Sequence, residues 1–187
     1  MDVDGKRNFL KILVSLENRE SLAPYDFEAL IDGEREKRNF ASNHIQQDRY
    51  FIDKHAETLY RVVMVDENCE GPVGYVHGGF SASLLDQNMG RTVLALRGMS
   101  ATVRLEVDYR RPLKTKDSFQ IRSWIEEETE RKIVMNGTIL DSADQLCVEA
   151  LGVFVKMNLA DLLLVGTMQP SLENAVGYKT IFKAFGG

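Results

Sequence analysis

Two hydrophobic periods divide the chain. At about 100° per residue, Ala82, Leu85, Met89, Val93 and Leu96 fall within roughly 60° of one direction, the apolar stripe of a core-facing helix. Gly98 stands just past the last apolar turn and marks its end. The period then changes to two. In "TVRLEVDY", Val103, Leu105, Val107 and Tyr109 alternate with Thr102, Arg104, Glu106 and Asp108, as in a half-buried strand. "SFQIRSWIEE", "KIVMNGTIL" and "LCVEALGVFVK" predict three more strands, separated by the polar breaks "LKTKD", "ETER" and "DSADQ". Breaks this short imply antiparallel neighbours, because parallel strands need long crossovers. Upstream, "TLYRVVMVD" (Thr58 to Asp66) predicts one strand, and the stretch before it shows no clear period. "NFLKILVSL" and "PYDFEALIDGEREKRNF" predict peripheral helices, Pro24 opening the second.

One strand, one long apolar helix and four consecutive antiparallel strands make an α+β architecture in which the sheet wraps the helix. Asp86 falls inside the helix's apolar stripe. An ionised carboxylate buried without partners costs several kcal/mol or takes up a proton. Asp86 therefore either sits at the stripe's edge, capping a loop or meeting an arginine, or lines a site.

Composition narrows the function classes. With 187 residues, 44% hydrophobic and 27% charged, the chain is expected to form one soluble domain with extensions. The predicted division is a helical N-terminal extension over 1–45, a central domain over 46–160 and a tail over 161–187. No apolar run approaches the ~20 residues that span a bilayer. The N-terminus, with acids at positions 2 and 4, resembles neither a secretory signal nor a transit peptide. Cys69 and Cys147 stand alone, which speaks for a reducing compartment and against a zinc site. A net charge of −5 argues against nucleic acid and anionic membranes as partners, so an anionic ligand needs a local basic patch. Arg110, Arg111, Lys114 and Lys116, with Arg131 and Lys132, form the basic concentrations of the strand region.

The stretches "CEGPVGYVHGGFSASLLDQNMG", "TVRLEVDYRRPL", "ERK" (Glu130 to Lys132) and "EALGVFVKMN" together resemble the hotdog-fold acyl-CoA thioesterases. The likeness is strongest to the phenylacetate-pathway-like group and its mitochondrial long-chain branch. It rests on the spacing: HGG, an Asp nine residues after the His, a Thr sixteen residues further, then "DYRRP". It covers roughly residues 58–158. The resemblance implies a hotdog fold and hydrolysis of medium-to-long-chain acyl-CoA to free acid and CoA. CoA is then part of the substrate, and no further cofactor or metal is expected.

By the same resemblance, Asp86 is the base or nucleophile, Gly78 and Gly79 offer backbone amides to the thioester oxygen, and Thr102 orients the acid. His77 either holds the loop or polarises the carbonyl. Asp108, Arg110, Arg131 and Lys132 align with positions that contact CoA; arginine suits its phosphates. His44 and His55 are expected at the surface. Some relatives place an Asn six residues before the HGG histidine, where this chain has Gly71. Gly79 and Asp86 are about 10 Å apart along a helix axis, too far for one carbonyl. Two helices antiparallel across a two-fold close that gap, so a homodimer or a dimer of dimers is expected. The expected compartment is mitochondrial or cytoplasmic. The competing reading is a non-catalytic acyl-CoA-binding or partner-regulating hotdog protein; a hydratase ranks third, because its His and acid layout is not found.

Overall fold

The computed structural model describes residues 3–26 and 44–157. Helix α1 (Val3–Glu17) is followed by β1 (Ala23–Pro24), β2 (Ile45–Asp53), β3 (Thr58–Val65) and a single 3-10 turn (Glu67–Cys69). Then come helix α2 (Gly78–Arg97), β4 (Ser100–Tyr109), β5 (Ser118–Glu128), β6 (Lys132–Leu140) and β7 (Leu146–Lys156). All pairings are antiparallel in one seven-stranded sheet of order β1-β2-β3-β5-β6-β7-β4.

The sheet curls on α2 because both carry apolar surface that only the other can cover. Phe80, Leu84, Leu85, Met89 and Val93 are at most 2% exposed and pack against Val63, Phe119, Ile121, Ile133, Met135, Ile139 and Phe154. Each such side chain contributes roughly 1.5–3 kcal/mol on burial. The approach is close enough to need glycines in mid-strand. A Cβ at Gly152 would lie 2.8 Å from the Phe154 ring and 3.1 Å from Met89 Sδ, and one at Gly137 3.1 Å from Leu85 Cδ2. Gly98 stops the helix with φ of 95°, its N–H donating to the Val93 carbonyl.

Alternation carries a second core on the other face of the sheet. Val63 and Val65 face α2, whereas Val62 and Met64 point the opposite way and meet Phe9, Ile12 and Leu16 of α1. The Ser118 hydroxyl donates to the Gly5 carbonyl and the Asn8 amide to Asp117, fixing the start of α1 on β5.

Several expectations are corrected. The strands after α2 are not neighbours in chain order: β4 leaves β5 and pairs with β7 at the sheet edge. Breaks of a few residues set the β5-β6-β7 meander, but "RRPLKTKD" is long enough to cross. The stretch without a clear period contains β2, whose exposed first half hides the alternation. Pro24 opens no helix; it lies in β1 and pairs with Phe51. Tyr25 and Asp26 are not helical either, and the rest of the second predicted helix, with the tail 161–187, lies outside the described residues. The buried face of α2 is also turned from the predicted stripe. It runs through Ser81, Leu84, Leu85, Asn88, Met89, Thr92 and Val93, with Asp86 half-buried at its edge.

Polar side chains occupy much of that face. Asn88 Nδ2 donates to Ser123 Oγ at 2.7 Å, and Thr92 Oγ1 meets the same oxygen at 2.6 Å. Further round, Arg61, 1% exposed, holds Asp48 in a two-pronged bond (2.8 and 2.6 Å) and donates to Gln87 Oε1. The Arg61 and Arg91 guanidinium groups both lie against the Tyr50 ring. This polar seam joins α2 to β2 and β3.

Candidate active site

The start of α2 is built by its own sequence. His77 is the N-cap in extended conformation, and its Nδ1 accepts the Gly79 N–H at 3.0 Å. His77 thereby engages an amide that the resemblance assigns to the substrate oxygen. The glycines leave room for neighbours: a Cβ at Gly78 would lie 3.3 Å from the Tyr109 ring, and one at Gly71 3.0 Å from His77 Cα. Tyr109 Oη donates to the Gly78 carbonyl at 2.9 Å and ties the helix start to the C-terminal end of β4.

The acid lies two turns on. Thr102 Oγ1 donates to Asp86 Oδ1 at 2.8 Å, tying α2 to the N-terminal end of β4. Simple alternation puts Thr102 on the face opposite Leu105 and Val107. A bulge between Thr102 and Arg104 changes the phase. Thr102 thereby joins the inner face, while Val103 is 59% exposed. Bulges that re-aim one side chain are common beside functional sites.

The chain therefore holds the acid and the glycine-rich helix start beside opposite ends of β4, about 10 Å apart along the α2 axis. The CoA-assigned residues divide the same way. Asp108 pairs in register with Glu149 at the Tyr109 end, and Arg110 follows it. The Arg110 guanidinium bonds Glu149 at 2.6 Å and lies 3.5 Å from Asp108, and these contacts push its pKa up. Arg131 and Lys132 lie in the β5–β6 turn, where the Lys156 N–H donates to the Arg131 carbonyl, beside the Ser100 end. The two basic groups are not brought together within the chain.

A cavity of about 430 Å³ opens at the start of α2, lined by His44, Asn68, Cys69, Glu70, His77, Gly79 and Phe80. Burial, then the Asp66 carboxylate, pushes the Cys69 thiol up to about 11, so it is an inert wall. His44 is the correction. The imidazole expected at the surface has a side chain only 23% exposed and faces this cavity. Its neighbourhood in sequence carries no motif, so no local signal marks it. Among the described residues no three His, Cys, Asp or Glu side chains gather into a metal site. Nor is any described helix long and apolar enough to cross a membrane.

A single antiparallel sheet curled on one helix, with an acid and a glycine-rich helix start held at the two ends of its edge strand, defines a hotdog domain. Residues 73–148 match the Thioesterase superfamily. Acyl-coenzyme A thioesterase THEM4 of Xenopus laevis is 30% identical over 130 residues, 66% of this chain and 58% of the relative. The chain thus spans little more than half the length of that relative. Among solved structures, a thioesterase superfamily protein shares 28% identity with a TM-score of 0.55, over 58% of this chain and 53% of the other. A Streptococcus mutans protein solved with acetyl-CoA bound shares the fold at 19% identity and a TM-score of 0.51, over 54% of this chain and 82% of the other. The fold is a hotdog, and residues 73–148 of it are similar to the Thioesterase superfamily.

Proposed function

We propose that the protein hydrolyses medium-to-long-chain acyl-CoA thioesters, as a homodimer whose two sites each combine the α2 start of one subunit with Asp86 of the other. The observation that carries this reading is the Thr102 to Asp86 hydrogen bond at 2.8 Å, which fixes a half-buried carboxylate. Asp86 takes a proton from water as the water oxygen attacks the carbonyl carbon, or attacks that carbon itself. The oxyanion is met by the amides of Gly78 and Gly79 and by the positive end of α2. For the Gly79 amide to serve, the exposed His77 imidazole swings off it when substrate enters. Collapse expels the CoA thiolate, and protonation completes CoA and free acid. In the base route the acid forms directly; in the nucleophile route water opens the anhydride.

The edge position of β4 supports the dimer. Its outer edge has no strand partner among the described residues, and an open edge of ten residues is a template for pairing. Pairing β4 with itself, antiparallel about its middle, brings the Thr102 end of one copy beside the Tyr109 end of the other. Each Asp86 then approaches the other subunit's helix start. Arg131 and Lys132 likewise approach the other subunit's Arg110, forming one basic rim for the CoA phosphates. The relative named as an acyl-CoA thioesterase supports an acyl-CoA substrate. Phe80, Leu84, Met89 and Met135 give the interior the apolar character that an acyl chain needs.

Release of CoA thiol from acyl-CoAs of graded length, with wild type beside Asp86→Asn, tests the proposal. Turnover by wild type and a loss of about 10²–10⁴ in kcat for the variant are expected. Binding without turnover in both proteins would point instead to a non-catalytic acyl-CoA receptor.

A further inference from the structure

We infer that Tyr109 is the positioning residue of the oxyanion donor: its hydroxyl grips the carbonyl end of the peptide joining Gly78 to Gly79, and so aims and strengthens the N–H at the other end. The inference rests on the acyl-CoA reading proposed above and deepens it.

That one peptide is held at both of its polar ends by different side chains. Its carbonyl accepts the Tyr109 hydroxyl at 2.9 Å, and its N–H donates to His77 Nδ1 at 3.0 Å. A peptide plane flanked by two glycines turns more freely than one between residues with side chains, because no Cβ restricts it. A grip from outside the helix therefore sets the direction of the donor. The glycine also admits the grip: a Cβ at Gly78 would lie 3.3 Å from the Tyr109 ring and 3.4 Å from its oxygen.

The hydroxyl is carried on a fixed arm. Tyr109 follows Leu105 and Val107, both packed on the core, along the face of β4 turned to α2. It pairs in register with Val148, and the next two N–H groups, of Arg110 and Arg111, donate to the Cys147 carbonyl at 2.8 and 3.0 Å. The chain before α2 is tied to the chain after β4, since the Val76 N–H donates to the Leu113 carbonyl at 2.9 Å. Strand end and helix start thus hold a common frame. Tyr109 is 55% exposed, so burial is not its main contribution.

A hydrogen bond accepted by a carbonyl polarises its peptide and strengthens the N–H as a donor, by about 10–30% per bond in a chain of such bonds. A thioester carbonyl gains negative charge on oxygen during attack, and a donor already aimed at that oxygen stabilises the charge without reorganising. When His77 yields the Gly79 N–H to the substrate, the Tyr109 bond keeps the plane in place. Tyr109 acts through the peptide and does not touch the substrate.

Tyr109→Phe keeps the ring against Gly78 and removes only the donor. Full-length wild type and variant are compared in steady-state acyl-CoA hydrolysis and in calorimetric binding of two non-hydrolysable ligands. One is an S-(2-oxoalkyl)-CoA, which keeps a carbonyl; the other is the S-alkyl-CoA thioether of equal length, which lacks it. In the variant kcat should fall about 5–10-fold, the equivalent of about 1 kcal/mol, with KM unchanged. Wild type should prefer the ketone, and the variant should lose most of that preference while binding the thioether as wild type does. Equal thioether affinity excludes misfolding as the cause. An unchanged kcat, an unchanged ketone preference, an equal loss of affinity for both ligands, or a wild type indifferent to the carbonyl would each overturn the inference. Tyr109 would then be no more than a staple between β4 and α2, and hydrolysis by wild type would leave the acyl-CoA reading standing. If wild type hydrolyses no acyl-CoA, that reading fails and the inference falls with it.

Discussion

Single residues decide what the α2 edge can do, and Thr102 is the clearest instance. Its hydroxyl is fixed on Asp86 by the bulge before Arg104, and a hydrogen bond to a charged group contributes about 1.5–3 kcal/mol. Thr102→Val keeps the shape and removes the donor. It should lower kcat about 10–100-fold with little change in KM, and Thr102→Ser should recover most of the loss. Steady-state kinetics of the two variants checks this, and a Thr102→Val enzyme as fast as wild type would remove the residue from the mechanism. The buried Arg61 depends on Asp48 in the same way. Asp48→Ala strands that guanidinium in the core and should cost about 3–5 kcal/mol, read from the urea midpoint.

Elements are held in place at their ends as much as by their faces. Arg97, in the last turn of α2, bonds Glu128 of β5 at 2.7 Å and Glu57 at 2.5 Å, and Lys156 of β7 bonds the same Glu128 at 2.5 Å. The basic residue also suits the negative end of the helix. The hydrogen bonds from Lys156 and then Arg97 pull the Glu128 carboxyl below its ordinary value. A carboxyl lowered by folding stabilises the protein above its unfolded pKa, and that contribution is lost as pH falls through the folded one. The Glu128→Gln variant should therefore be less stable than wild type at pH 7, and the gap should close below about pH 4. Urea midpoints across pH 3–8 measure it. A gap independent of pH would mean that the cluster contributes packing rather than charge.

At the scale of the whole molecule, β4 connects the fold to the proposed dimer. The strand holds the Thr102 end beside Asp86 and the Tyr109 end beside Gly78. In the proposed dimer its outer edge, without a strand partner among the described residues, lets a two-fold exchange those ends. If each site draws on both chains, a chain lacking the acid and a chain lacking the helix start should complement one another. Asp86→Asn and Gly79→Val, each inactive alone, should regain about a quarter of wild-type activity after equimolar subunit exchange, because half the dimers are mixed and each has one intact site. No recovery from a mixture shown to exchange would mean that each site lies within one chain.

The elements were legible because their periods are clean: the strand runs from Thr58, Ser118, Lys132 and Leu146 form β3, β5, β6 and β7, and the apolar run closed by Gly98 forms α2. The half-buried Asp86 and its bond to Thr102 agree with the spacing of HGG, Asp and Thr, a local pattern that one helix and the next strand preserve. Other features depended on contacts between distant segments. A bulge changes side-chain phase without any change in composition, so Thr102 and Val103 exchange faces. The crossing of β4 to β7 follows from where curled sheet surface remains to be covered. The face of α2 that carries Asn88 and Thr92 is buried because Ser123 lies opposite to satisfy it. His44 enters the cavity only because β2 runs beside β3 and brings it to Asp66 and Phe80. Sequence by itself determined the periodic elements and the spacing of HGG, Asp86 and Thr102, since both are set by near neighbours along the chain. Register, edge and the second histidine belong to the tertiary structure, since each is settled by which surfaces meet across it.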